Sequence, residues 1–503
     1  MTEPLKVRIE LLDEPEIAFG GGRGVEPRKG LPTGGPSAGV AGGLVRLGLV
    51  ALESETAEAK HWLEGLNGFI AARDNNAKRF PNWPGAEKAL RVRFEVAPSL
   101  VRPINEQKYK ILVDRRHTTE GFDELLELFS GRITGLLSDQ PPSCIVAYLP
   151  NELADLRLAN PGLSTEERRI LEALRAEEES DQLSLFQPSP EDRQRADALR
   201  ATADELLFRS FYRALKARVV SHANAVPIQV LRHDTVRRPD GKGQGQSRAT
   251  RSWNIATTLF YKAGGIPWRP ADLPRNVCFI GISFHHLRRR SGGIVYASVA
   301  QAVSTEVEPF ALKGATIDRE QRRDRQPYLL EDQARDLMVD VLDHYRNVVG
   351  VAPDRVVVHK TTHFQPEEIA GFHRGTNQVV AACDLIWMRE TSFRLLRRGF
   401  EEPCRGTFCT VGNETYLFTV GRIAWWGEYP GPHIPAPLQI GSANETDLRA
   451  RAREILALTK VDWNSTDGVS RYPITVSFAR KVGLGMTELS ENQAPHPSYR
   501  FHA

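Results

Sequence analysis

The run Trp253-Asn254-Ile255-Ala256-Thr257-Thr258-Leu259-Phe260-Tyr261-Lys262-Ala263-Gly264-Gly265-Ile266-Pro267-Trp268, followed by Val277-Cys278-Phe279-Ile280-Gly281-Ile282-Ser283-Phe284, decides how this chain is read. An apolar helical run ends at a double glycine, and a proline follows two residues later, which is how helices stop. The second run is uncharged and rich in strand formers, as a buried strand requires. The stretch is therefore a helix, a tight turn and a buried strand. Lys262 falls in the last turn of the helix, where a cation is favoured and where an anion site also needs one. Ser283 falls near the end of the strand, a common place for chemistry in an open α/β sheet.

At 503 residues the chain is long enough for two or three domains with substantial cores. Its apolar share of 41% and charged share of 26% are those of an ordinary soluble protein. A net charge of +3 neither demands nor excludes a nucleic-acid partner, so the distribution of charge has to decide. The five cysteines (Cys144, Cys278, Cys383, Cys404 and Cys409) form no CxxC pair, which argues against a zinc site or a disulfide framework. The opening Met1-Thr2-Glu3-Pro4-Leu5-Lys6 lacks the apolar core of a signal peptide, and no run of about 18 apolar residues follows. A cytoplasmic protein with no membrane partner is expected.

Outward from the opening stretch, residues 1–40 read as an extended leader with glycine- and proline-rich patches and one strand at Val7 to Leu12. A strand at Val45 to Leu52, helices at Thr56 to Ala72 and Phe122 to Leu137, and the buried strand Cys144 to Leu149 predict a layered α/β domain over residues 41–262. Residues from about 160 to 200 turn charged and helix-forming, with Glu177-Glu178-Glu179 among them, and read as a solvated surface insertion. A helix at Leu206 to Val220, a strand at Val226 to Leu231 and a basic loop from Arg237 to Arg248 lead back to the opening helix. Beyond Ser283, a strand at Ile294 to Val303 pairs as a hairpin across Arg288 to Gly293. A helix at Leu329 to Tyr345, a strand at Arg355 to His359, a helix at Pro366 to Phe372 and a strand at Val379 to Met388 follow. A hairpin about Gly412-Asn413 and helices at Thr446 to Leu458 and Ile474 to Val482 complete residues 263–503. Hairpin, helix, strand, helix is the order of an RNase H-like fold.

Four residues form the constellation with chemical meaning. Tyr212 and Lys216 stand four apart and so share one helix face. Gln229 ends Val226-Pro227-Ile228-Gln229, and Lys262 ends the opening helix. A phenol, two ammonium groups and an amide suit a terminal phosphate: donors for its oxygens, charge for its dianion and a ring for stacking. Taken singly, each lysine reads equally as a solvated helix residue and Tyr212 as core.

These motifs and three others resemble the short prokaryotic Argonautes over nearly the whole chain. The leader pattern Glu14-Pro15-Glu16-Ile17-Ala18-Phe19, with Glu26-Pro27-Arg28-Lys29-Gly30-Leu31 and Gly35-Pro36, is similar to their opening. Tyr212 and Lys216 with Val226 to Gln229 resemble the pocket of the MID domain that holds a guide 5′-phosphate. Tyr261-Lys262-Ala263-Gly264-Gly265-Ile266-Pro267-Trp268 is similar to the junction between MID and PIWI domains, and Val356-Val357-Val358-His359-Lys360 with Tyr472 to Ala479 resembles PIWI signatures. The resemblance implies an α/β chain in which a Rossmann-like MID domain is followed by an RNase H-like PIWI domain. It also implies that Tyr212, Lys216, Gln229 and Lys262 hold the guide's 5′ end. A Mg²⁺ ion there would be bound by Gln229 and the carboxylate of Ala503. The family's usual Pro-Thr-Gln is Pro227-Ile228-Gln229 here, so a threonine hydroxyl is missing.

Cleavage at an RNase H-like site needs carboxylates that hold two divalent metals about 4 Å apart, and Mg²⁺ demands hard oxygen ligands. By the resemblance, the metal-ligand positions are occupied by Ser283, Thr361 and Arg480. Two hydroxyls and a cation cannot hold two metals, so no catalytic residue is expected. A substitute site of His285, His286, His359 and His363 lacks a partnering carboxylate or cysteine. A Ser283/His286 hydrolase pair lacks a nucleophile-elbow pattern. Three basic clusters are candidates for backbone contacts: Arg288 to Arg290, Arg319 with Arg322, Arg323 and Arg325, and Arg394 with Arg397 and Arg398.

The function implied is guide-dependent recognition without cutting. A short 5′-phosphorylated guide RNA pairs with a single-stranded DNA target. A partner protein carrying an Argonaute-associated N-PAZ-like domain supplies the effector, a TIR or Sir2 NADase or a nuclease, in antiviral defence. An active guided nuclease with non-standard metal ligands, and a structural subunit with a vestigial pocket, are the alternatives.

Overall fold

A computed structural model of the chain describes residues 6–73, 76–139, 141–159, 208–222, 224–240, 246–288, 294–303, 308–317, 321–323, 326–399, 402–431, 434–489 and 493–503. Two sheets organise it. The smaller holds five parallel strands: Leu44–Leu52, Arg93–Glu95, Val101–Ile104, Cys144–Leu149 and Ile228–Arg232. Every residue of Cys144–Leu149 is buried, because a parallel sheet is covered on both faces and its central strands are apolar throughout. One face packs under the helices Thr119–Asp139 and Phe211–Val220, where Phe211 meets Phe122 and Phe129 edge-on at 5.7 and 5.8 Å. The other face packs under Thr56–Glu64 and Arg248–Lys262.

The larger sheet has nine strands, in the order Phe310–Ile317, Ile294–Val303, Val277–Arg288, Arg355–Lys360, Ala382–Glu390, Leu438–Ser442, Glu414–Leu417, Thr407–Val411 and Val7–Leu11. The first three form an antiparallel meander. Val277–Arg288 then pairs in parallel with Arg355–Lys360, and that strand with Ala382–Glu390. Read along the chain this is the strand order 3-2-1-4-5 of an RNase H-like core. Helices Glu331–Val349 and Pro366–Thr376 cover one face, while Leu448–Leu458 and Ile474–Met486 cover the other.

The helix of the opening stretch, Arg248–Lys262, lies between the two sheets and is buried along nearly its whole length. Ser247 caps its start by accepting from the Thr250 N–H. Trp253 sits edge-on to Trp83 at 4.8 Å, and Tyr261 lies 4.4 Å from Trp463. The stop needs both glycines for different reasons. Gly264 has φ of +108°, and a Cβ on Gly265 would come within 2.3 Å of the Phe260 ring.

Several elements differ from expectation. The helix from Thr56 ends at Glu64. Beyond it Asn67 exchanges two 2.9 Å hydrogen bonds with the backbone of Phe94, and Ile70 bridges to Trp83, so the chain is tied to the sheet instead. Ser283 lies mid-strand and not near the end, because Val277–Arg288 continues as an arm of the hairpin. The leader also holds the helix Pro27–Gly34 and the pair Ile17–Phe19 with Gly22–Gly24. It is pinned by Glu14, which accepts from Lys460 at 2.6 Å and Arg405 at 3.0 Å, and by Arg28 with Asp467 at 2.7 Å. The expected insertion at 160–200, residues 241–245 of the basic loop, Arg319, Arg325 and the side chains of His285, His286 and Arg288 to Arg290 lie outside the described residues. Among the described residues no helix is long and apolar enough to cross a membrane.

Candidate nucleic-acid interface

The four residues of the constellation come together. Helix Phe211–Val220 carries Tyr212 and Lys216 on one face, and the Lys216 ammonium lies 4.8 Å from the centre of the Tyr212 ring. Lys216 donates to the backbone oxygen of Ala503 at 2.8 Å. Lys262 reaches the same oxygen from the end of its own helix and also donates to the Ile228 carbonyl at 2.7 Å. Gln229, the next residue, donates through Nε2 to the Val230 carbonyl at 2.9 Å. A cavity of about 390 Å³ opens over these groups, with Tyr212, Lys216, Gln229 and Ala503 in its wall.

Lys481, Asn464 and His502 also line the cavity, and the sequence reading missed all three. Lys481 pairs with Asp462 at 3.5 Å. It follows Arg480 directly on the helix Ile474–Met486, and one residue of helix turns a side chain by about 100°. Lys481 therefore enters the cavity, whereas Arg480 is exposed with its guanidinium 5.9 Å from the centre of the Tyr472 ring.

Burial and like charge dominate the electrostatics of the two lysines. Burial, and then the neighbouring Lys216 ammonium, bring Lys262 down to about 7. Burial, and then Lys481, bring Lys216 down to about 8. Lys481 lowers Lys216 and Lys216 lowers Lys262 because like charges repel.

The large sheet holds the second candidate region. The parallel register sets Gly281 beside His359 and Ile282 beside Lys360, so Ser283 and Thr361 each come one residue after the last pair. A Cβ on Gly281 would stand 2.1 Å from the Thr475 carbonyl oxygen, so this glycine lets the helix Ile474–Met486 lie directly on the strand. Ser283 itself is 6% exposed. Next to it His359 is fully buried, hydrogen-bonded to Thr475 Oγ1 at 2.9 Å through Nδ1, and lowered by burial to about 3, so it is neutral. His363 lies apart from His359, its ring 4.2 Å from that of Trp387. Among the described residues no three His, Cys, Asp or Glu side chains converge as metal ligands. Of the basic clusters, Arg323 is engaged with Glu367 at 2.9 Å, Arg394 with the backbone of Thr391 and Phe393, and Arg397 with Cys404.

Solved structures share this fold. The chain matches Clostridium butyricum Argonaute bound to a guide DNA and a 19-mer target DNA with a TM-score of 0.63 at 14% identity, covering 98% of this chain and 54% of that one. It has the MID–PIWI fold of the Argonautes. Drosophila Piwi gives a TM-score of 0.59 at 14% identity, with 98% and 56% covered, and the A. aeolicus Argonaute 0.54 at 13%, with 98% and 55%. The chain thus spans about half the length of these Argonautes. No family profile matches the sequence, and no curated protein does. The cavity at Lys216 and Gln229 lies against the small parallel sheet, while Ser283 lies on the nine-stranded sheet.

Proposed function

We propose that this chain is a guide-dependent recognition subunit that grips its guide and does not cut the target. One observation carries the reading: Lys216 and Lys262, from two different helices, converge on one oxygen at the floor of a cavity beside Tyr212 and Gln229. That geometry suits the 5′-phosphate of a short guide RNA, with Tyr212 under the first base. The rest of the guide pairs with a complementary single-stranded DNA target. Base pairing reads the sequence, and the protein reads backbone and shape.

Gln229 and Ala503 offer hard oxygens of the kind Mg²⁺ takes. The Ala503 oxygen, however, already accepts from two ammonium groups. The pair therefore suits the ion only when a phosphate draws the lysines onto itself. Gln229 and Ala503 would then hold the ion, and its charge would offset that of the phosphate.

The reading of inactivity rests on donor chemistry. Ser283 and Thr361 are hydroxyls and Arg480 is a cation, so none supplies the anionic oxygen that a two-metal site needs. Activity then belongs to a partner: a protein with an Argonaute-associated N-PAZ-like domain and a TIR, Sir2 or nuclease effector. Target pairing switches it on in a heterodimer serving antiviral defence by abortive infection. The switch requires that the guide–target duplex favour the active effector arrangement.

The test is direct. Purified protein, guide and labelled target are incubated with Mg²⁺ or Mn²⁺, and guide binding is compared for 5′-phosphate and 5′-hydroxyl ends. Tight binding, a strong phosphate preference and an intact target are expected. Cleavage would establish the active nuclease with non-standard ligands. Equal binding of both guide ends would leave the pocket vestigial.

A further inference from the structure

The strand Val7–Leu11 closes one end of the nine-stranded sheet and pairs on one side with Thr407–Val411. Among the described residues no strand lies against its other side. Its sequence, Val-Arg-Ile-Glu-Leu, has no proline, and its two charges, Arg8 and Glu10, are of opposite sign. Val7, Ile9 and Leu11 all point to one face and are 54%, 53% and 61% exposed.

The hydrogen-bond phase of this edge is set by the existing pairing. Leu12 N–H donates to the Gly406 carbonyl, and Gly412 N–H donates to the Lys6 carbonyl. In an antiparallel ladder, hydrogen-bonded pairs alternate with non-hydrogen-bonded ones. The even-numbered residues therefore spend their backbone groups on Thr407–Val411. The N–H and C=O groups of Val7, Ile9 and Leu11 point outward.

We propose that this edge pairs antiparallel with the same edge of a second copy of the chain, about a two-fold axis at Ile9. The segment is self-complementary in that register. Ile9 faces Ile9 and Val7 faces Leu11 as hydrogen-bonded pairs, using the outward backbone groups of both copies. Arg8 faces Glu10 of the other copy, and the reverse, as non-hydrogen-bonded pairs, where side chains approach most closely. Glu10 already holds Arg449, so the incoming guanidinium joins an existing pair. The contact is isologous and closed: the two nine-stranded sheets join into one, and no further copy can add.

Sedimentation velocity of the full chain, from about 1 to about 100 µM, tests this. A monomer–dimer equilibrium is expected. Arg8→Glu places like charges across the axis and shifts the protein to monomer, as does Glu10→Arg. An equimolar mixture of the two variants restores opposite charges and re-forms the dimer, which misfolded variants could not do. Ile9→Pro removes an outward N–H without touching the ladder to Thr407–Val411, so it weakens the dimer at least tenfold with an unchanged melting temperature. A chain that stays monomeric throughout the range overturns the proposal and leaves the edge to a different strand. A dimer indifferent to these substitutions, or a mixture that stays monomeric, overturns it equally.

Discussion

The ammonium groups of Lys216 and Lys262 meet on a single oxygen, that of Ala503. They come from different helices, and a third element, the chain's last residue, supplies the acceptor. Such convergence of positive charge is costly unless an anion completes it.

Removing either ammonium should cost one or two charge-assisted hydrogen bonds, each about 1.5–3 kcal/mol. Lys216→Ala or Lys262→Ala is expected to weaken binding of a 5′-phosphorylated guide roughly ten- to hundredfold. Affinity for a 5′-hydroxyl guide should change little. Filter binding with both guides gives the ratio, and a ratio unchanged by both substitutions rules the phosphate reading out.

The same pair predicts a pH dependence. Free Lys262 stands at about 7 and Lys216 at about 8. A bound phosphate favours the ammonium forms and raises both values, so binding above neutrality takes up protons. Phosphate affinity should be greatest where the phosphate is a dianion, above about 6, and the lysines are still charged. It should then fall as pH rises past about 7, first through Lys262 and then, past about 8, through Lys216 as well. Calorimetry in two buffers of different ionisation enthalpy measures the uptake; buffer-independent heats at pH 8 would contradict it.

Gly281 allows a helix to rest on a strand. Gly281→Ala places a Cβ 2.1 Å from the Thr475 carbonyl oxygen and pushes the helix Ile474–Met486 outward. Overpacking of this kind costs about 1–3 kcal/mol. Lys481 rides on that helix, so guide affinity should fall together with the denaturation midpoint. Stability lost with affinity intact would uncouple the helix from the cavity.

Lys360 and Glu368 form a pair that is 2% and 0% exposed, with the ammonium 2.6 and 2.7 Å from the two carboxylate oxygens. Glu368 also accepts from the Leu329 and Gln365 N–H groups. Glu368→Gln strands the ammonium and should destabilise the fold by about 3–5 kcal/mol, whereas Lys360→Met with Glu368→Gln, which keeps an acceptor for those N–H groups, should recover much of that loss. Urea denaturation of Glu368→Gln, Lys360→Met and the double variant decides, and additive losses would exclude a buried pair.

Much of this was legible in order along the chain. The stop at Gly264-Gly265, the apolar run Cys144–Leu149 and the hairpin at Gly412-Asn413 each carry a local cause: a positive φ, burial on both faces, a turn. Thr56 to Ala72 misled because apolar spacing says nothing of where a side chain such as Asn67 will bind the backbone. Strands Phe310–Ile317 and Leu438–Ser442 went unseen, since sheet neighbours far apart in sequence decide them.

By itself the sequence determined the α/β class, the helix ending at Lys262, and the hydroxyls and guanidinium at Ser283, Thr361 and Arg480. All of these are matters of residue type and local spacing. Only the tertiary structure decided that Lys216, Lys262 and Ala503 share one point in space, that Lys481 and not Arg480 turns into the cavity, and that Gly281 pairs with His359 under the helix Ile474–Met486. Those relations come from packing two sheets about one buried helix. Packing joins residues by distance through the core, which spacing along the chain does not encode.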